Sequence, residues 1–298
     1  MSKLTMLSFG GGQDSTAILY KLIYDENFRN KYAPEDLIVV MADTGNEHGE
    51  TYEHVNKMSR LCQVQKIPFF FLTGDMGYTS PSWSEGLVRF YEQKNAIGSK
   101  AFPKTCTDKL KITPIYNWLD EYLHRTYSTV KVGRKAAIKE FAQTHGKIRV
   151  LLGIAAGEEK RASKNEESPQ KWMREAVDKQ YPLIDLGWDR QACQDYISKE
   201  LGRVVPIPSN CILCPFMSYQ ELLYLYRRTP AWYYKWVELE ANKVKANSHV
   251  DPKRNLGVWG TKMLPEALKI AEEKHGHMTD AELREYKMSH GHCVTSKY

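Results

Sequence analysis

Three consecutive glycines, Gly10, Gly11 and Gly12, separate an apolar run at residues 4–9 from a run that opens Gln13-Asp14-Ser15-Thr16 and continues apolar to Tyr20. Glycine weakens a strand interior and supplies the unusual dihedral angles of a tight turn, so this order predicts a strand, a turn and a helix. Such a unit aims several backbone N–H groups, and the positive end of a helix, at one point. The hydroxyls of Ser8, Ser15 and Thr16 add possible donors, and Asp14 is placed to cap the helix or to orient the turn. The plain alternative is an ordinary strand-to-helix connection. The turn lacks the Gly-Lys-Ser/Thr ending of a Walker A loop and the spacing of a dinucleotide-binding Gly-x-Gly-x-x-Gly.

Further apolar runs at residues 37–42, 68–72 and 148–153 predict three more strands, and residues 50–61 and 111–122 predict intervening helices. Strands that alternate with helices imply an α/β fold, a parallel sheet covered on both faces, with ligands at the carboxyl ends of the strands. Residues 73–105 carry Gly, Ser, Pro and aromatics and are expected to form an insertion or lid. After Asp189 the pattern turns helical, over 190–201, 219–228, 231–246, 265–274 and 280–288. The expected division is a nucleotide-binding α/β domain at 1–200, with an insertion at about 73–147, and a helical region at 201–298.

No stretch reaches the roughly 20 apolar residues of a membrane helix, so no membrane partner is expected. The N-terminus runs directly into the first strand, which predicts no secretory signal and a cytoplasmic location. Six cysteines in 298 residues are too few and too scattered for a disulfide framework, and are read as reduced thiols or metal ligands. The net charge of +6 permits an anionic ligand without proving one.

Several motifs carry a resemblance. Gly10-Gly11-Gly12-Gln13-Asp14-Ser15 resembles the Ser-Gly-Gly-x-Asp-Ser turn of the PP-loop ATP pyrophosphatase superfamily, with Gly10 in place of the usual Ser and Gln13 in place of a frequent Lys. Ala42-Asp43-Thr44-Gly45 resembles the Asp-Thr-Gly segment of that superfamily's phosphoadenylylsulfate (PAPS) reductase-like branch. Cys106-Thr107-Asp108-Lys109-Leu110-Lys111 and Gly153-Ile154-Ala155, followed by Lys160 and Arg161, are similar to further segments of the branch, as is the stretch from Tyr181 to Asp189. The resemblance covers roughly residues 5–190 and extends to 208–217.

The resemblance implies an adenine nucleotide α-hydrolase-like sheet that binds ATP with Mg²⁺, or an adenylyl nucleotide. Ser8, Phe9, Gly10, Gly11, Gly12, Gln13, Asp14, Ser15, Thr16, Ala42, Asp43, Thr44, Gly153, Lys160 and Arg161 would line the nucleotide. Asp14, Asp43, Lys109 and Lys111 would serve the chemistry. The expected reaction is adenylation of a substrate with pyrophosphate release, coupled to sulfur transfer. Sulfonucleotide reduction and nucleotide binding without turnover are the alternatives.

Cys211 and Cys214, followed by Pro215, have metal-ligand spacing. The resemblance makes Cys106 the natural third ligand. A [4Fe–4S] cluster, zinc and plain packing of thiols all remain open, with Cys193, Cys293 or a histidine as a fourth ligand. Cys62 and Cys193 fit core positions. Between Arg125 and Arg149 seven basic residues face one acid, Glu140, and Tyr and Trp cluster at 224–236. Basic charge with aromatics allows a nucleic acid partner, tRNA or DNA, although helical spacing of aromatics more often marks a core. A sulfur-donor protein is a further candidate partner.

Overall fold

The computed structural model describes residues 3–163, 165–250 and 255–290. Five parallel strands, β1 (Leu4–Ser8), β2 (Asp36–Ala42), β3 (Phe69–Leu72), β4 (Ile148–Leu152) and β5 (Val177–Gln180), form one sheet in the order β3-β2-β1-β4-β5. The central strands are nearly continuous apolar runs because both faces of the sheet are covered. Leu7, Val39, Met41 and Leu151 face one side, beneath α1 (Gln13–Tyr24), α2 (Glu26–Tyr32) and α3 (Gly49–Val64). Met6, Ile38, Val40 and Val150 face the other. There they meet α5 (Thr113–Tyr127), α6 (Ala136–His145) and α7 (Lys171–Ala176), which follow α4 (Gly86–Lys94) in the chain. The chain switches sides between β1 and β4, so their carboxyl ends open a crevice at the centre of the sheet.

Beyond the sheet lie α8 (Pro182–Asp185), α9 (Arg190–Asp195), α10 (Tyr219–Arg228), α11 (Pro230–Ala246), α12 (Leu264–His275) and α13 (Asp280–Ser289). The starts of α10 and α13 are set by capping boxes, Ser218 with Glu221 and Thr279 with Glu282. Proline in the first turn opens α11 and α12.

Several elements differ from the sequence reading. The helix expected at 111–122 starts as a π-helical turn, Asp108–Ile112, and continues to Tyr127. The helix expected at 190–201 is split into α9 and a π-helical turn, Tyr196–Glu200. Strand β5 and helices α2, α4 and α6 were not anticipated. The segment expected as an insertion or lid is fastened down. Its Trp83, Leu87, Tyr91 and Ile97 are buried in one core with Leu213, Leu222, Trp236 and Leu264 of the C-terminal helices.

No helix among the described residues is long and apolar enough to cross a membrane. Cys62, Cys106, Cys193, Cys211 and Cys214 are not joined in disulfides.

Candidate functional site

The glycine turn is held by close packing on two sides. Gly11 has φ +74°, in the left-handed region, and a Cβ there would lie 3.1 Å from methyl groups of both Thr51 and Val55. A Cβ on Gly12 would lie 2.7 Å from the Ser209 amide nitrogen, and one on Gly153 would lie 2.8 Å from the Ser15 amide nitrogen. The turn is thus clasped between the segment before Cys211 and the end of β4. Ser15 Oγ accepts from the Gly10 amide and donates to the Gly12 carbonyl, both at 3.2 Å.

No side chain caps α1, whose N-cap is Gly12. Asp14 therefore does not cap this helix. Its carboxylate lies 3.6 Å from the Arg190 guanidinium instead. Thr16 is fully buried, with its hydroxyl 2.8 Å from His54 Nε2. The Gln13 amide donates to the Met288 carbonyl at 3.2 Å, and Gln194 donates to the Gln13 side-chain oxygen at 3.1 Å. The residue in the frequent-Lys position is thereby tied to the C-terminal end of α13.

The turn opens on a cavity of about 500 Å³ at the carboxyl ends of β1 and β4. Ser8, Phe9, Gly10, Gly12, Gln13, Asp14, Ser15, Ala42, Lys111, Gly153 and Arg161 all line it. Its lining is divided. Met6, Ile112, Ile115, Val150, Leu152 and Met173 are apolar, whereas Arg161, Arg190, Lys111 and Lys179 are cationic. Glu158 holds both guanidinium groups, bonding Arg161 through one oxygen and Arg190 at 3.0 Å through the other. Burial pushes the Asp14 carboxyl above its ordinary range, while Arg190 opposes the shift. Burial likewise lowers the Lys179 ammonium, which donates to Ser163 Oγ at 2.7 Å.

Beside this cavity lies a smaller cleft lined by Cys106, Cys211 and Cys214, together with Thr44, Leu87, Lys104 and Lys111. Lys111 lines both spaces. The turn after β2 is stitched to the cysteine segment. The Ile212 amide donates to the Asn46 carbonyl at 2.7 Å, and the Leu213 amide to Asn46 Oδ1 at 2.9 Å. Cys211 Sγ lies 3.3 Å from Thr44 Oγ1, which donates to Glu47 at 3.1 Å. Burial and the Glu47 carboxylate push the Cys211 thiol well up, against the pull of Lys111.

The Tyr91 hydroxyl is also pushed up, first by burial and then by Cys106 and Cys211. The donor set is three thiols, which suits iron–sulfur or zinc. As arranged, no three His, Cys, Asp or Glu side chains among the described residues surround a common metal position.

The remaining expected residues fall outside the large cavity. Asp43 accepts from Tyr52 Oη at 2.8 Å and from the Gly45 amide at 2.9 Å, and so shapes its own turn. Gly11, Thr16, Asp43, Lys109 and Lys160 line neither space. Lys109 and Lys160 are exposed, and Lys109 stands 3.4 Å from Asp108. Cys62 and Cys193 are wholly buried in the core under α1, with the Cys62 thiol pushed up to about 12 by burial. Cys293 lies outside the described residues.

Most of the basic run is engaged locally. Arg125 pairs with Glu121, Lys135 bonds Asn117, Lys147 bonds the Arg174 carbonyl, and Arg149 bonds the carbonyls of Lys31 and Tyr32. Tyr233 and Trp236 are core residues, and Tyr234 is 59% exposed.

Arg190, Lys179 and Ser209 were missed by sequence reasoning. Arg190 directly follows the helix-capping Asp189, where a basic residue stands out. Lys179 sits in a short polar strand that gives no signal. No protein-family model matches the chain, and no curated protein matches it.

Proposed function

We propose that the protein binds ATP, or a closely related adenylyl nucleotide, in the large cavity and adenylates an acceptor with release of pyrophosphate. Adenylation with pyrophosphate release is chemistry of the PP-loop superfamily, whose PAPS reductase-like branch the motifs resemble. The observation that carries it is the lining of one cavity, which brings apolar side chains together with the glycine turn, Arg161, Arg190 and Lys111. An adenine ring suits the apolar walls, and phosphates suit the N–H groups and cations.

An acceptor oxygen would attack the α-phosphorus, and the bond to the bridging oxygen of pyrophosphate would break. The departing charge would be held by turn amides, the two arginines and Lys111. Asp14 Oδ1 is buried without a hydrogen-bond partner in the described structure and lines the cavity, which fits a carboxylate that would hold the Mg²⁺ of the nucleotide. Cys106, Cys211 and Cys214 would hold an iron–sulfur cluster, or zinc, supplying a sulfur-binding centre beside the nucleotide. A hydrosulfide brought by a donor would attack the activated carbon, forming a carbon–sulfur bond as the carbon–oxygen bond breaks, and AMP would leave carrying that oxygen.

Gln13 favours a second reading, binding without turnover, because its amide donates to α13 and not to an anion in the cavity.

Calorimetric titration with ATP, and pyrophosphate release measured with candidate acceptors, test the proposal. Arg161→Gln and Arg190→Gln are each expected to weaken ATP binding by roughly ten-fold, as expected for lost charge-assisted bonds. Absence of ATP binding by the wild type sinks both readings. Binding with no pyrophosphate release leaves the second.

A further inference from the structure

The segment after β4 brings a further chemical group to the large cavity. Arg161 and Ser163 both line it and stand two residues apart, so their Cα atoms are separated by at most about 7 Å. The Lys179 ammonium, on β5, donates to Ser163 Oγ at 2.7 Å, and Lys179 lines the cavity as well. Ser163 is also gripped through its backbone. The Tyr181 hydroxyl accepts from the Ser163 amide at 3.0 Å and donates to the Ser163 carbonyl at 2.8 Å. Two residues at the end of β5 thus hold this one serine, by its side chain and by both of its backbone polar groups.

A hydroxyl within hydrogen-bond reach of an amine, on a backbone fixed by a third group, is the arrangement of an activated nucleophile. Burial favours the neutral amine of Lys179, the form that accepts a proton. Sheet register sets where the pair stands. Met6, Val150 and Lys179 occupy one row across β1, β4 and β5, and all three line the cavity. Adjacent strands are about 4.8 Å apart, so Lys179 starts about 10 Å from β1, the strand that leads into the glycine turn. A phosphorus displacement puts the attacking oxygen in line with the leaving oxygen, on the opposite side. With pyrophosphate on the turn, the attacked face of the α-phosphorus looks into the cavity, toward β4 and β5.

We propose that Ser163 is itself an acceptor of the adenylyl group, with Lys179 as its base. Ser163 Oγ attacks the α-phosphorus of ATP, and an oxygen–phosphorus bond forms as the bond from phosphorus to the bridging oxygen of pyrophosphate breaks. The hydroxyl proton passes to the Lys179 amine, and AMP stays on the chain as a serine phosphodiester. The inference rests on the proposed ATP binding, and it assigns an acceptor that the reading leaves open.

The test is incubation of the full chain with Mg²⁺ and ATP labelled at the α- or at the γ-phosphate, quenched in acid at intervals. Wild type is expected to keep the α-label and not the γ-label after denaturation, to release pyrophosphate equal to the label kept, and to yield a peptide with AMP on Ser163. Ser163→Ala is expected to keep no label. Lys179→Met and Lys179→Arg are each expected to slow labelling by roughly 100-fold, the effect of losing a general base. Arginine keeps the charge but stays protonated, so its failure separates a base from a mere cation. Peptide mapping of the wild type reads the site directly, even if a variant melts early.

Label on a residue other than Ser163 overturns the proposal, as does undiminished labelling of Ser163→Ala or Lys179→Arg. ATP titration of the same wild-type sample separates the two ideas. ATP binding with no label kept overturns self-adenylylation and leaves the nucleotide reading standing. No ATP binding sinks the nucleotide reading, and this inference with it.

Discussion

The Lys111 ammonium stands 3.1 Å from the carboxylate of Glu47, a side chain with no exposure to solvent. Glu47 also receives the Thr44 hydroxyl, so this one pair connects the turn after β2, the cysteine cleft and the large cavity. Removing one partner of a buried pair leaves the other charged and unsolvated, which costs roughly 3–5 kcal/mol. Lys111→Ala is therefore expected to lower stability by that order in urea unfolding, and Glu47→Gln together with Lys111→Met to recover much of it. Lys109→Ala, two residues away and exposed, is expected to change stability by less than about 0.5 kcal/mol. Equal effects at the two lysines would contradict the pairing.

The glycines of the turn should not be equivalent. A Cβ at Gly10 meets nothing nearer than the Ser209 hydroxyl at 3.6 Å, whereas one at Gly12 collides with backbone at 2.7 Å. Gly10→Ser is expected to fold like wild type. Gly12→Ala should lose roughly 1–3 kcal/mol through overpacking. Thermal melting of the two variants gives the comparison, and a Gly12→Ala protein as stable as wild type would show that Ser209 yields freely.

His54 predicts an acid sensitivity. Burial, reinforced by Lys57, lowers its imidazole to about 4, from 6.5. The unfolded chain takes up this proton below pH 6.5, while the folded chain resists it until about pH 4. The folded state therefore keeps this contribution above pH 6.5 and loses it as pH falls from 6.5 to 4, by up to about 3 kcal/mol. His54→Gln can keep a hydrogen bond to Thr16 without titrating. Urea unfolding at pH 7.0, 5.5 and 4.5 should show the variant gaining on wild type as the pH drops. Parallel pH profiles would assign the sensitivity elsewhere.

The thiols make a prediction about composition. Anaerobic purification is expected to yield about four irons and four sulfides per chain, and Cys211→Ser to lose them. One zinc per chain, lost in the same variant, would select the rival metal. A metal-free wild type would leave Cys106, Cys211 and Cys214 as packing residues around Tyr91.

Long apolar periodicities were easy to read from sequence, and short amphipathic ones were not. The helical pattern at 219–228 matches the bounds of α10, whose start the structure shows to be fixed by a capping box. Helix α6 was read only as part of a basic run, although its Ala137, Ile138 and Phe141 form a buried face. The residues of β5, Val-Asp-Lys-Gln, are half-polar because the strand lies at the sheet edge. In the site, contiguous motifs placed the turn, Ala42, Gly153 and Arg161 on one cavity, and three distant cysteines on one cleft. Arg190, Lys179 and Ser209 reach the cavity from separate elements, through packing that no local pattern records. Thr16 is taken inward by His54, and Asp43 by Tyr52.

The bond from Gln13 to the Met288 carbonyl spans 275 positions of chain. During synthesis the glycine turn emerges long before α13. A ribosome-bound chain can therefore assemble the sheet around a turn that still lacks this anchor, and the anchor forms only after translation has passed α13.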